Sequence, residues 1–144
     1  MILHQDNKII EFTIDGYEYM EKTGSTEEFN YDANCLMCKI KYSDENCCEI
    51  YRDPCLLTSE LAEMEREVAK AIDGVNSCYI SDYMESCLNF AVAKVQGKIV
   101  MLLSFTYEVN DDWKHREVAA LLSVEEALIV REDLGTLVSR YPER

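Results

Sequence analysis

Proline and glycine are scarce in this chain, two and five of 144 residues. So few breakers leave little room for linkers or low-complexity stretches, and neither is seen; the chain reads as regular elements joined by short connections. Basic residues are also few. Fourteen Lys and Arg stand against 28 Asp and Glu, a formal net charge of −14. A field of that sign repels phosphate, which argues against nucleic acid and anionic membrane as partners, and it speeds encounter with a basic protein. No apolar run approaches the roughly 20 residues that cross a bilayer as a helix. The opening residues 1–6 lack a basic stretch followed by an apolar one, so a cytoplasmic location is expected.

Chemical signatures are missing as well. There is no glycine-rich phosphate loop, no serine nucleophile elbow, no HExxH pair and no calcium loop. The two histidines, His4 and His115, lie far apart, and neither has a partner at a ligand spacing. Seven cysteines are an odd number, which favours free thiols in a reducing compartment. Cys35 and Cys38 have CxxC spacing, but on a strand residues three apart point to opposite faces and cannot share one ion; Cys47 and Cys48 diverge for the same reason. No catalytic residues, no metal and no cofactor are therefore expected.

What is present is the pattern of a single domain spanning residues 1–144, a length that buries roughly 68–70% of its unfolded surface without staples. Residues 9–14 alternate, with Ile10, Phe12 and Ile14 on one face, and predict a half-buried strand. Residues 20–31 lack a period and read as a polar loop. A second strand starts near Asp32 and places Leu36, Cys38, Ile40 and Tyr42 on one face. A third covers 47–52 with Cys48 and Ile50 inward, and Asp53-Pro54 stops it. Thr58 caps a helix whose Leu61, Met64, Val68 and Ile72 share an arc and whose C′ position is Gly74. Glu60, Glu63 and Glu67 read as its solvated stripe.

Residues 77–81 suit a short strand. Val95-Gln96-Gly97-Lys98 is a two-residue hairpin turn whose register pairs Val92 with Met101, Phe90 with Leu103 and Leu88 with Phe105, all apolar. Residues 99–103 are apolar on both faces, which predicts a strand covered on both sides. Residues 110–116 read as a polar loop carrying the only tryptophan, and 118–122 as the last strand. Ser123 and Glu126 form a capping box for a final helix with Ala127, Val130, Leu134, Leu137, Val138 and Tyr141 inward, ended by Pro142. The expected fold is α+β: a curved antiparallel sheet of about seven strands, in the order β-β-β-α-β-β-β-β-α, packed with two amphipathic helices.

Several segments also resemble a known family. Asp32-Ala33-Asn34-Cys35-Leu36 is similar to the DAN-x-L strand opening of WapI-type immunity proteins. The stretch from Asp53-Pro54 to Leu61 resembles that family's strand-to-helix junction, Glu85-Ser86-Cys87-Leu88-Asn89-Phe90 its E-P-N-L-x-F segment, and Leu134 to Arg144 its closing helix. The chain departs from the pattern at Cys35 and Ser59, where the family often carries tryptophan, and at Ser86, where it often carries proline. The resemblance implies a non-enzymatic cytoplasmic antidote that binds and blocks the toxin domain of a secreted bacterial polymorphic toxin.

The acidic charge fits a basic toxin domain such as a nuclease, met by a monomer or weak homodimer of this chain. Two loops stand out as candidate partner-binding sites. One carries Glu27 and Glu28, within residues 11–32, where seven acids accompany only Lys22. The other carries Asp111, Asp112 and Trp113, an aromatic beside two carboxylates. Two rival readings are a small enzyme or ligand-binding domain, with Cys, His and acid converging in a pocket of the sheet, and a structural subunit that self-associates through a sheet edge or apolar patch.

Overall fold

In the computed structural model, which describes residues 1–19, 31–75 and 78–144, the alternating segments form two antiparallel sheets of four strands each. The first comprises β1 (Ile2–Gln5), β2 (Lys8–Tyr17), β3 (Cys35–Ser43) and β4 (Cys48–Leu57) in that spatial order. The second comprises β5 (Cys78–Ile80), β6 (Leu88–Val95), β7 (Lys98–Val109) and β8 (Asp112–Leu122), also in chain order. Helix α1 (Tyr31–Asn34) precedes β3, α2 (Thr58–Asp73) joins the sheets, and α3 (Val124–Arg140) follows β8. The fold is α+β, with its strands divided between two sheets. The strand not read from the sequence is β1, four residues long, where alternation is too short to register.

Period-two patterning sends one apolar row of each long strand into a common core. Ile10, Phe12 and Ile14 of β2 are buried, as are Leu36, Cys38, Ile40 and Tyr42 of β3. Across the β6–β7 hairpin, Val92 pairs with Met101, Phe90 with Leu103 and Leu88 with Phe105, the register its turn demands. Gln96 and Gly97 both have positive φ, 50° and 79°, the backbone a tight hairpin needs to match strand twist. Helix α2 contributes Leu61, Met64 and Val68, and ends at Gly74 in the left-handed conformation. Helix α3 begins with the expected capping box, Glu126 N–H donating to Ser123 Oγ at 3.2 Å and Ser123 N–H to Glu126 Oε2 at 2.7 Å. Tyr141, buried just beyond it, donates its hydroxyl to the Ile14 carbonyl at 2.9 Å and ties the helix to β2.

Several local expectations are corrected. A turn of helix, α1, occupies residues 31–34, so β3 starts at Cys35 rather than near Asp32. The rest of the 20–31 loop, residues 20–30, lies outside the described residues. Thr58 is the first helical residue of α2, and Leu57 is the N-cap, its N–H taken by Glu60 Oε2 at 2.7 Å. Glu67 is buried rather than solvated, its carboxylate 2.6 Å from Lys70 Nζ. Strand β4 runs through Asp53-Pro54 to Leu57: it is an edge strand, where proline is tolerated, and its register shifts between Leu36 and Met37. The supposed loop at 110–116 is a hairpin: Asn110 and Asp111 turn with φ of 53° and 61°, and Asp112 and Trp113 already lie in β8.

The face of β4 is also inverted. Cys48 and Ile50 point outward, whereas Glu49 and Tyr51 stand opposite the buried Tyr42 and Ile40. A carboxylate is tolerated there because the second sheet supplies its partners. Arg116 of β8 grips it with two bonds, Nε to Oε2 at 2.9 Å and Nη2 to Oε1 at 3.1 Å. The Tyr107 hydroxyl of β7 donates to the same carboxylate, and Lys114 Nζ lies 3.9 Å away. Arg116 also lies over the Tyr42 ring, 5.2 Å from its centroid. This clamp joins the edge of the first sheet to β7 and β8.

Two consequences are measurable. Phe90→Ala leaves a cavity in the core and is expected to cost about 3–5 kcal/mol, whereas Asn89→Ala on the outer face costs much less; equal losses in urea melts would contradict the register. Bonds from Arg116, then from Tyr107, hold the Glu49 carboxyl below its ordinary range. A depressed folded-state pKa gives stability that is fully present above the unfolded carboxyl pKa, about 4.3, and is lost as pH falls through the lower folded value. The stability gap between the wild type and Glu49→Gln should therefore be wide at neutral pH and close on acidification. A gap independent of pH would show that the clamp does not use the carboxylate charge.

Candidate functional site

Strand β6 starts at Leu88, opposite Phe105, so β7 beyond Thr106 has no β6 neighbour. Across that gap stands β4, the edge of the other sheet. The opening is a cleft of about 640 Å³. Tyr51, Arg52 and Asp53 line it from β4, Glu85, Ser86 and Cys87 from the segment before β6, Thr106 and Glu108 from β7, and Trp113 from β8. The Tyr51 ring stacks on Phe105 with centroids 5.8 Å apart and donates its hydroxyl to Asp53. Three acids and one arginine line it, and the arginine, Arg52, donates from Nε to Asp15 at 2.9 Å on the outer face of the first sheet.

Trp113 stands opposite Glu108 in the β7–β8 register and is 67% exposed, so the largest aromatic of the chain rests on solvent beside acids. A second cavity of about 200 Å³ adjoins the first through Glu85, and is lined among others by Glu18, Asp32, Cys35 and Glu60. Burial, then the neighbouring Glu18, pushes the Cys35 thiol up to about 12. Carboxylates thus run along one side of the molecule past the edge of β4.

Of the residues singled out from sequence, Trp113 lines the cleft. Asp111 and Asp112 are exposed at the hairpin tip beside it and do not line it. Glu27 and Glu28 lie outside the described residues. Asp53, Glu85 and Glu108 were not singled out. The Asn110-Asp111 turn would have placed Glu108 opposite Trp113, but nothing local announces that β4 brings Asp53 across from another sheet.

Cys87 lines the cleft, but its thiol is pushed up by its hydrogen bond with Cys55 and by burial, and Cys55 is raised in turn through its bond with Cys38. Protonated thiols are poor nucleophiles. His115 sits outside the cleft, its Nδ1 3.1 Å from Thr106 Oγ1 and its Nε2 3.8 Å from Glu117. Among the described residues no three His, Cys, Asp or Glu side chains converge as metal ligands. All seven cysteines are free. Carboxylates with an open indole face suit a cationic side chain, which gains from both.

No curated protein matches the chain in sequence. The family model described as the immunity protein WapI-like family matches residues 1–139, and the chain belongs to that family.

Proposed function

We propose that this protein is a non-enzymatic cytoplasmic antidote that holds a basic toxin domain, such as a nuclease, against its acidic cleft and the hairpin tip beside it. Immunity proteins act by neutralising a toxin; the partner chemistry and the surface are our reading. The observation that carries it is the exposed Trp113 standing among Asp53, Glu85 and Glu108 at the mouth of a cleft, on a chain of net charge −14. A toxin that attacks nucleic acid is basic where it grips phosphate, and an acidic inhibitor that covers this surface blocks it by occupancy. Long-range attraction sets the association rate, while a large aromatic in a desolvated contact sets the lifetime.

The test is surface plasmon resonance against the toxin domain encoded by the adjacent gene. Reversing the charges of Asp111 and Asp112 should slow association and flatten its salt dependence, with thermal stability little changed. Trp113→Ala should mainly speed dissociation, by about 30-fold for a hot spot worth about 2 kcal/mol. Glu108→Lys should do both. If all three variants keep wild-type rates the cleft is not the interface, and Glu27 and Glu28 are the next pair to reverse.

A further inference from the structure

A row of thiols lies behind the acidic cleft. Strand β3 brings Cys38, β4 brings Cys55, and the segment before β6 brings Cys87. Cys55 owes its direction to the bulge of β4. The ladder passes from Leu36 opposite Leu56 to Met37 opposite Pro54, so Cys55 is the extra residue. Cys55, Leu56 and Leu57 are then buried in succession, where strict alternation would turn one of them out. Cys87 is held from the other sheet, its carbonyl accepting from the Thr106 N–H of β7 at 2.8 Å. Cys38 and Cys55 are fully buried, whereas Cys87 is half-buried and lines the cleft.

The hydrogen bonds among these thiols run in one direction. Cys87 donates to Cys55, Cys55 donates to Cys38, and Cys38 donates to the Leu36 carbonyl at 3.6 Å. Cys55 therefore turns a sulfur lone pair toward Cys87 and its proton away. That is the orientation of a resolving thiol beside a sulfur that solvent can reach. Cys48 and Cys78 are more exposed, but Cys48 stands opposite Ser43 and Cys78 opposite Ala93, so neither meets a thiol across its ladder.

We propose that Cys55 and Cys87 are an oxidisable pair, and that a peroxide entering the cleft converts them to a disulfide that fastens the wall of Glu85, Ser86 and Cys87 to β4. The Cys87 sulfur attacks one peroxide oxygen: the S–O bond forms, the O–O bond breaks, and the departing hydroxide takes the thiol proton and leaves as water. The Cys55 sulfur then attacks the Cys87 sulfenic acid: the S–S bond forms, the S–O bond breaks, and the second hydroxide leaves with the Cys55 proton. Two thiols are oxidised and one peroxide is reduced to two waters. The pair works whatever the identity of the toxin.

The first step sets the rate. The bond to Cys55, then burial, push the Cys87 thiol up, with Asp53 and Glu85 adding to the effect, and Tyr51 also lies beside it. Attack is therefore slow at neutral pH and quickens about tenfold per pH unit as the thiolate fraction grows. The bridge closes a loop that contains α2 and β5, so the oxidised chain should melt at a higher temperature than the reduced one.

The test is hydrogen peroxide on the full chain carrying Cys48→Ser and Cys78→Ser, followed by peptide mapping without reduction. Two thiols should disappear, Cys55 and Cys87 should be found joined within one molecule, and dithiothreitol should return both. With Cys87→Ser added, Cys55 should survive the same treatment as a free thiol. With Cys55→Ala added, Cys87 should stop at the sulfenic acid and take up dimedone. In the oxidised form the Thr106 amide should exchange more slowly, because its acceptor carbonyl belongs to Cys87. A map that joins Cys38 to Cys55, or joins two molecules, overturns the proposal. So does a thiol count that never falls, or Cys87 carrying oxygen while Cys55 stays free. Unchanged Thr106 exchange overturns the fastening of the wall.

Discussion

The inward faces of the two sheets share one apolar core, and a charged clamp, Glu49 with Arg116, ties the edge of the first sheet to the second. Glu49 and Arg116 are each about one-quarter exposed, so pairing them carries part of the desolvation cost of a buried ion pair. Two parallel N–H bonds to one carboxylate, with the Tyr107 hydroxyl as a third donor, offset that cost. Behind the clamp, Phe105 stacks on Tyr51 and on Tyr107 and the two tyrosines meet at a tilt, centroids 5.3–5.8 Å apart, filling the space between β4 and β7. The width of the acidic cleft follows from these contacts, since Tyr51 and Asp53 reach it from a strand whose position Arg116 fixes.

The same clamp marks where sequence reading stops. Alternation places β2 and β3, whose apolar rows lie on a single face, and the Gln96-Gly97 turn sets the register of β6 and β7. On β4 the rule chose the wrong face. Cys48 and Ile50 are the apolar letters, yet Glu49 and Tyr51 turn inward, because the residues that make this favourable stand 67 and 58 positions away. Pro54 misled for a related reason: a proline stops a central strand, but only the third dimension reveals that β4 is an edge with a shifted register. At residues 110–111 charge disguised geometry. Asn-Asp between two long β runs is a hairpin turn; of the residues that follow it, Asp112 and Trp113 are exposed, while Lys114 and Arg116 turn toward Glu49.

The segments that carried the family resemblance are mostly scaffold. Asn34 is fully buried; its Oδ1 accepts from the Arg144 N–H at 2.7 Å and from Thr58 Oγ1 at 3.1 Å, binding α1, α2 and the C-terminal residues together. Asp53-Pro54 lies at the bulge that turns β4 into α2, and Leu88 and Phe90 are core. Two of the cleft carboxylates, Asp53 and Glu85, arrive with this scaffold. The opposite wall, Glu108 and Trp113, comes from the β7–β8 hairpin, where both residues are exposed. The cleft thus joins one wall tied into the scaffold to one carried on an exposed hairpin.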